Sequence, residues 1–332
     1  MDASGSRMEY EQFAQDPLHR PLHFTTAEEI EQAMRLYGLT SYELRQLGTG
    51  PFLSDWAVLE KDGVELFSDR YNKGFSLLLH PPEDMVGLLF AVSANGALLA
   101  SGHNVANDKL LFIPKGCATD MTAPQLSGSE AITLSEERFL EIATLTAPGF
   151  RPPETVAAIS GHTSRLHKLR RAIIKYLAHP EWDPLGEQLH NLVTATIFWM
   201  ANATVDSIDA TAAHVAIARR ARDYLEANYR YGVRIEDLCR VTGVGVRTLQ
   251  RSFREYFDLT ISQYLKTLRL DRAHRSLVAG RGNGFSVAEV ALGHGFAHLG
   301  RFSVEFKQRF GTSPNQTLLG GKARAKAPGH HH

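Results

Sequence analysis

The chain has 332 residues, of which 43% are hydrophobic and 22% charged, values typical of a globular protein large enough for two or three domains. No apolar run reaches the roughly 20 residues of a membrane-spanning helix, and the two cysteines, Cys117 and Cys239, argue against a disulfide framework and predict a cytoplasmic location. The net charge of zero is split, because residues 213–332 carry 20 Lys and Arg against 9 Asp and Glu, whereas residues 1–212 carry 16 against 27, so a basic region suited to phosphates follows an acidic one.

The first residues, 1–19, are polar and acidic, which excludes a secretory signal and predicts a loosely ordered segment. Thr25 and Thr26, followed by two acidic residues, predict the start of a short helix that ends at Gly38.

From residue 41 to residue 134 the pattern changes to short apolar runs separated by turn residues. Asn95-Gly96, between two such runs, is a strong hairpin signal. Many short strands at regular spacing predict a β-sandwich or a barrel. The predicted strands are Ser41–Leu47, Leu53–Leu59, Val64–Tyr71, Phe75–His80, Val86–Ser93, Leu98–Gly102, Leu110–Ile113 and Ala131–Leu134.

Helical periodicity follows at 136–148, at 153–178 and at 184–202. The last two are amphipathic and adjacent, which predicts a helical hairpin. Their apolar faces could cover the open side of the β-structure or pair with a second copy of the chain, and both alternatives stay open. A short polar linker is predicted at 206–212.

One pattern occurs twice between residues 235 and 314: a short apolar helix, a glycine-containing turn at 242–244 or 293–295, and a helix with a basic face. In both copies two apolar residues four positions apart follow the turn, namely Leu249 and Phe253, then Phe302 and Phe306. A short helix, a tight turn and an exposed basic helix predict a helix-turn-helix, whose second helix enters a DNA major groove.

VTGVGVRTLQRSFREYF, together with GHGFAHLGRFSVEFKQRFGTSP, resembles the DNA-binding domain of the AraC/XylS family of bacterial transcription regulators, over about residues 213–319. The resemblance implies seven helices in two helix-turn-helix units, joined by the long helix SQYLKTLRLDRAHRSLVAG. It also implies an N-terminal cupin-like barrel that binds a regulatory ligand. Gly300 stands where the family's second recognition helix usually begins with Ser, and the variant HLGRF resembles a subgroup that includes regulators of ethanolamine use.

The second helix of each unit predicts the DNA-reading surface. Arg can bridge O6 and N7 of guanine, and Gln can bridge N6 and N7 of adenine. Arg301, at the start of its helix, is the predicted base reader, whereas the later Arg309 is expected to reach phosphate. The predicted DNA contacts are Arg247, Gln250, Arg251, Arg254, His298, Arg301 and Lys307.

The ligand of the β-region is not identified by the sequence. Cations on or beside strands suit a carboxylate or phosphate, the subgroup resemblance points to a small amine, and a nucleotide second messenger is a third alternative. The predicted ligand residues are Arg45, Trp56, Arg70, Tyr71 and Lys73, with Phe75, Phe90 and Phe112 as further apolar walls. No His-x-His pair occurs in residues 40–135, so neither a bound metal nor a cofactor is expected.

The predicted fold class is α+β: a cupin-like β-barrel with a flanking helical hairpin at 20–205, then an all-α double helix-turn-helix domain at 213–318. Residues 319–332 read as a basic tail with the stub of a purification tag. We expect a ligand-responsive transcription activator and not an enzyme. The expected partners are double-stranded DNA, RNA polymerase, a small-molecule effector and a second copy of the chain through helices 153–178 and 184–202. The alternative is a cupin-like metal enzyme or small-molecule carrier with a basic docking domain.

Overall fold

A computed structural model describes residues 21–36, 41–183, 185–206, 212–280 and 286–320. The chain divides into two compact units, one of residues 1–47, 52–216 and 256–258, the other of residues 48–51, 217–255 and 259–332. The predicted N-terminal segment and nearly all of the predicted linker and tail lie outside the described residues. Within the described ranges, no helix is both long and apolar enough to cross a membrane.

The first unit is built on two antiparallel sheets. Its strands are β1 (Leu22–Phe24), β2 (Ser41–Gln46), β3 (Ser54–Lys61), β4 (Val64–Tyr71), β5 (Phe75–His80), β6 (Met85–Ser93), β7 (Leu98–Ala100), β8 (His103–Val105), β9 (Lys109–Ile113), β10 (Thr119–Ala123), β11 (Ser127–Ser135), β12 (Ala157–Ser160) and β13 (Thr204–Val205). The strand orders are β1-β3-β4-β11-β6-β9-β12-β13 and β2-β5-β10-β7-β8. Neither order returns to its first strand, so a closed cupin-like barrel is not confirmed and the fold class is mixed α+β.

Turn chemistry explains the β3–β4 hairpin. Asp62 and Gly63 have φ angles of 52° and 70°, as a two-residue hairpin turn requires, and Lys61 pairs with Val64 across it. The predicted hairpin at Asn95-Gly96 is wrong. β6 pairs with β9 and β11, whereas β7 pairs with β8 and β10, so this turn carries the chain from one sheet to the other.

The eight-stranded sheet is buried on both faces, because its strands carry apolar side chains in both directions. One face, with Trp56 and Tyr71, packs with residues of the five-stranded sheet such as Leu77. The other face, with Phe90 and Phe112, is covered by helices. The helices of this unit are α1 (Ala27–Leu36), α2 (Glu136–Thr146), α3 (Thr163–Ala178) and α4 (Glu187–Ala201).

The helix predicted at 153–178 begins ten residues later than predicted, at Thr163. Before it, β12 pairs with β9 along the sheet, with Ala158 opposite Leu111. The cause is a pairing across almost fifty residues, which local periodicity does not encode. The apolar faces of α3 and α4 are buried in the core of their own unit, as Ile173 and Ile197 illustrate. A homodimer through these helices therefore stays a prediction that requires their other faces.

The second unit is helical. Its elements are α5 (Ala212–Asn228, in this unit from residue 217), α6 (Ile235–Thr242), α7 (Val246–Phe257, in this unit to residue 255), α8 (Ile261–Ala279), α9 (Val287–Gly293), α10 (Leu299–Phe310) and α11 (Pro314–Leu318). Reciprocal capping boxes define three of the helix starts, at Thr260 with Gln263, at Ser286 with Glu289 and at Ser313 with Gln316.

The long helix α8 supports both halves of this unit. Toward the first half, the ring of its Tyr264 packs edge-on against Phe253 of α7, with centroids 5.4 Å apart. Toward the second half, Leu277 is buried with Phe302 and Phe306 of α10. Each of these residues is completely shielded from solvent, so both halves are packed firmly on α8.

Candidate nucleic-acid interface

The first basic helix, α7, is amphipathic. Leu249 and Phe253 are fully buried, while Arg247, Gln250 and Arg254 lie exposed on the other side. These three polar side chains form no hydrogen bond or ion pair within the described part of the chain. They are therefore available to a partner outside the chain. The predicted contact Arg251 is also exposed, and its Nε lies 3.7 Å from Oε1 of Glu255.

The turn before α7 depends on a glycine. Gly243 has a φ of 72° and its N–H donates to the carbonyl oxygen of Cys239 at 2.9 Å, which closes α6. A left-handed residue at this position ends a helix at little cost only when it lacks a Cβ. The chain then turns within a few residues, so that α7 is presented at the surface.

The second basic helix, α10, begins differently from the family pattern. Its N-cap is His298, whose side chain makes no capping hydrogen bond, and Gly300 lies inside the first turn. Arg301 is 73% exposed in its side chain, and its Nε donates to Oε1 of Glu305 at 3.0 Å. Lys266 of α8 lies 3.3 Å from the same oxygen. The contact between Lys266 and Glu305 was not predicted from the sequence. The pairing of Arg301 with Glu305 could have been predicted, because the two residues are four positions apart on one helix.

The two cations near the end of α10, Lys307 and Arg309, lie in different environments. Lys307 is exposed, as a phosphate contact requires. Arg309 is 3% exposed, and its guanidinium donates to both carboxylate oxygens of Asp271 at 2.7 Å and 3.1 Å. The prediction that Arg309 reaches phosphate is therefore wrong, because a buried ion pair with α8 holds it inside the unit.

The turn between α9 and α10 is held by a buried histidine. The Nε2 of His294 lies 2.8 Å from the hydroxyl of Ser276 on α8, and its Nδ1 lies 3.3 Å from the hydroxyl of Tyr229. Burial, with Arg230 and Arg272 nearby, lowers the pKa of His294, so the ring is neutral at neutral pH. The next turn residue, Gly295, has a φ of 82°. Arg269 supports the same region by donating to the carbonyl oxygens of Tyr229 and Tyr231.

The predicted ligand residues of the first unit do not share one face. Trp56 and Tyr71 pack between the two sheets, with ring centroids 6.4 Å apart. Arg70 is paired with the buried Glu130 and, one residue before Tyr71 in β4, lies on the opposite face of the strand. Phe90 and Phe112 also lie on that opposite face. Arg45 and Lys73 are half-buried.

A buried carboxyl group lies beside this aromatic pair. Asp69 accepts hydrogen bonds from the amide and hydroxyl of Ser129 at 2.5 Å and 3.0 Å, and from the hydroxyl of Tyr71 at 3.2 Å. Burial raises the pKa of Asp69 to about 7 in spite of these bonds. The indole N–H of Trp56 is buried without an acceptor among the described residues. In the same ranges, no three His, Cys, Asp or Glu side chains are grouped as metal ligands would be.

Two short helix-turn-helix units, each with an exposed basic second helix and both packed on one long helix, define the class of double helix-turn-helix DNA-binding domains. A match to a family model agrees with this class. The family described as "Helix-turn-helix domain" matches residues 238–319. The chain is 30% identical to a solved probable AraC family transcriptional regulator from Rhodopseudomonas palustris CGA009, over 32% of this chain and 96% of that one, with a TM-score of 0.30.

Two curated relatives are transcription proteins. The chain is 31% identical to a "Probable thc operon regulatory protein" of Rhodococcus erythropolis, over 44% of this chain and 47% of that protein. It is 29% identical to the "XylDLEGF operon transcriptional activator" of Pseudomonas putida, over 30% of this chain and 31% of that protein. The chain thus spans less than half the length of either relative. Through its C-terminal unit, it belongs to the AraC/XylS family.

Proposed function

We propose that the chain is a ligand-responsive transcription regulator that reads a bipartite DNA site with α7 and α10. The observation that carries this proposal is the pair of exposed basic helices that both pack on the long helix α8. Adjacent major-groove segments on one face of DNA lie about 34 Å apart. A single chain that inserts both helices would therefore read two half-elements about one helical turn apart.

The two helices have different roles in this proposal. Arg247, Gln250, Arg251 and Arg254 contact the half-element at α7. Arg301, aligned by Glu305, reads a base of the other half-element, flanked by His298 and by a phosphate contact from Lys307. Arg that bridges guanine provides discrimination, whereas phosphate contacts provide affinity that depends on salt.

The first unit is proposed as a cupin-like sensor for a small-molecule effector. Its support is the inter-sheet region, where the buried indole N–H of Trp56 lacks an acceptor among the described residues and burial raises the pKa of the Asp69 carboxyl to about 7. A buried polar group without a partner is costly, and a ligand acceptor would relieve that cost. Because the Pseudomonas putida relative is named an activator, we propose activation, with RNA polymerase as partner and a homodimer as the assembled form.

Selection of bound sequences from random duplexes tests the DNA proposal with the full chain. We expect two conserved elements about one helical turn apart. Arg254→Ala should relax the preference in one element and Arg301→Ala in the other, whereas Arg240→Ala, an exposed arginine on α6, should change neither. Enrichment of a single element, or of none, would contradict bipartite reading.

A further inference from the structure

A cleft opens on the first helix-turn-helix, between α7 and the start of α8. Its volume is about 660 Å³, within the range of about 300–1,000 Å³ of small-molecule sites. We call it the α7–α8 cleft. Its lining includes Leu225, Leu238, Arg247, Arg254, Ile261 and Leu265.

The lining is divided into an apolar floor and a cationic wall. Leu225 and Leu238 are buried below the cleft, and Ile261 and Leu265 line it from α8 while remaining partly exposed. Aliphatic side chains left open to water at the bottom of a concavity favour an apolar occupant. Contacts with DNA phosphates do not need such a floor.

The wall favours a negative charge. Arg247 and Arg254 make no ion pair within the described residues, and both line the cleft. The amino end of α8 lines it as well, and the first turn of this 19-residue helix contains no acidic residue. Helix amino ends and arginines both stabilise anions. The wall and the helix end are independent features that point to the same kind of ligand group.

We propose that the α7–α8 cleft binds a small anionic amphiphile: an apolar ring or chain that carries one sulfonate, phosphate or carboxylate group. The ring or chain lies on Ile261 and Leu265, and the anionic group is bound by Arg247 and Arg254. Because the same arginines line the cleft and face DNA in the proposed function, a bound amphiphile excludes DNA from α7. The exclusion of DNA rests on the proposed function, but binding of the amphiphile does not.

The probe is 8-anilinonaphthalene-1-sulfonate, which is fluorescent when it lies in an apolar site. N-phenyl-1-naphthylamine has the same rings without the sulfonate and is the matched neutral comparator. With the full chain and no DNA, we expect saturable binding of the sulfonate and much weaker binding of the neutral amine. Equal binding of the two compounds would overturn the proposal, because the cationic wall would then contribute nothing.

Variants localise the site. Arg254→Gln removes a charge-assisted contact and Leu265→Gln makes the partly exposed floor polar, so each should weaken binding of the sulfonate roughly tenfold. The control Arg240→Gln removes an exposed arginine of the same unit that does not line the cleft, and should bind as the wild type does. Circular dichroism checks that each variant is folded. Binding that neither Arg254→Gln nor Leu265→Gln weakens would overturn the site.

The last experiment tests whether DNA and the sulfonate compete for the protein. A duplex selected by the protein should displace the sulfonate, and increasing sulfonate should lower the apparent DNA affinity in proportion to its occupancy of the cleft. A ternary complex with unchanged DNA affinity would overturn the exclusion of DNA. If the chain bound no DNA, the proposed function would be wrong. The fluorescence measurements with the variants would still show whether the sulfonate binds in the cleft.

Discussion

Asp271 of α8 and Arg309 of α10 form a two-point ion pair, with Nε to Oδ1 at 2.7 Å and Nη2 to Oδ2 at 3.1 Å. Asp271 is 8% exposed and Arg309 is 3% exposed, so the pair is buried where the second recognition helix packs on the joining helix. Two parallel hydrogen bonds fix orientation as well as distance. The angle at which α10 packs against α8 is therefore set in part by this pair.

Breaking the pair should destabilise the second unit strongly. Asp271→Ala leaves a buried guanidinium without its carboxylate, and we expect the free energy of unfolding to fall by about 3–5 kcal/mol. Hydrogen exchange of the α8 and α10 amides measures the loss in that unit. The double variant Asp271→Leu with Arg309→Met should recover much of it, because no buried charge remains. A double variant as unstable as the single one would show that the uncompensated charge is not the cause.

Arg301 should control specificity more than affinity for random DNA. Arg301→Ala should weaken binding to the selected duplex by about 1–3 kcal/mol and relax the preference at one base pair. Fluorescence anisotropy with the selected and a scrambled duplex, at equal salt, separates the two effects. Equal losses for both duplexes would identify Arg301 as a phosphate contact. The exposed Lys307 is the internal comparison, since Lys307→Ala should weaken both duplexes alike and lower the salt slope.

Gly295 and Gly293 allow a matched comparison of alanine substitutions at the turn between α9 and α10. Gly295 has a φ of 82°, and a Cβ there would lie 3.0 Å from the guanidinium of Arg269. Gly293 has no positive φ, and a Cβ there would meet no atom within 4 Å. Gly295→Ala should therefore cost about 1 kcal/mol or more of stability, whereas Gly293→Ala should cost nothing or stabilise. Hydrogen exchange of α9 and α10 tests the ranking, and equal effects would contradict it.

Asp69 should make the first unit less stable as the pH rises toward neutrality. Its pKa is about 7 in the folded chain against an ordinary value of 3.8. Between those values the folded state binds more protons than the unfolded state, so the free energy of unfolding falls as the pH rises and levels off above about pH 7. Burial is the main cause, Glu130 adds to the shift, and Ser129 and Arg70 oppose it.

The matching variant is Asp69→Asn, which keeps an oxygen for Ser129 and cannot ionise. We expect the stability difference between the variant and the wild type to grow in favour of the variant from about pH 4 to about pH 7. Urea unfolding followed by tryptophan fluorescence measures it, because Trp56, Trp182 and Trp199 all lie in the first unit. A difference independent of pH would show that Asp69 does not titrate in this range.

The sequence alone determined the helical unit in detail. Its signals are local: apolar residues four apart, glycine at the turns, and Ser or Thr caps followed by Glu or Gln three residues later. Each of these interactions joins residues within one or two helical turns. The pattern therefore predicted the exposed helices α7 and α10, and placed Leu249, Phe253, Phe302 and Phe306 on their inner faces, where the structure has them.

Tertiary structure decided what depends on distant residues. Because β12 pairs with β9, part of the predicted helix 153–178 is a strand. Because Arg309 pairs with Asp271, 38 positions away in the sequence, it is buried and does not lie on the side predicted to face DNA. The sequence predicts that Tyr71 and Arg70, as neighbours in one strand, lie on opposite faces of the eight-stranded sheet. It does not predict which of these faces packs against the five-stranded sheet, because both faces are apolar. Long-range pairing and buried charge depend on which segments meet in space, and local periodicity carries no information about that.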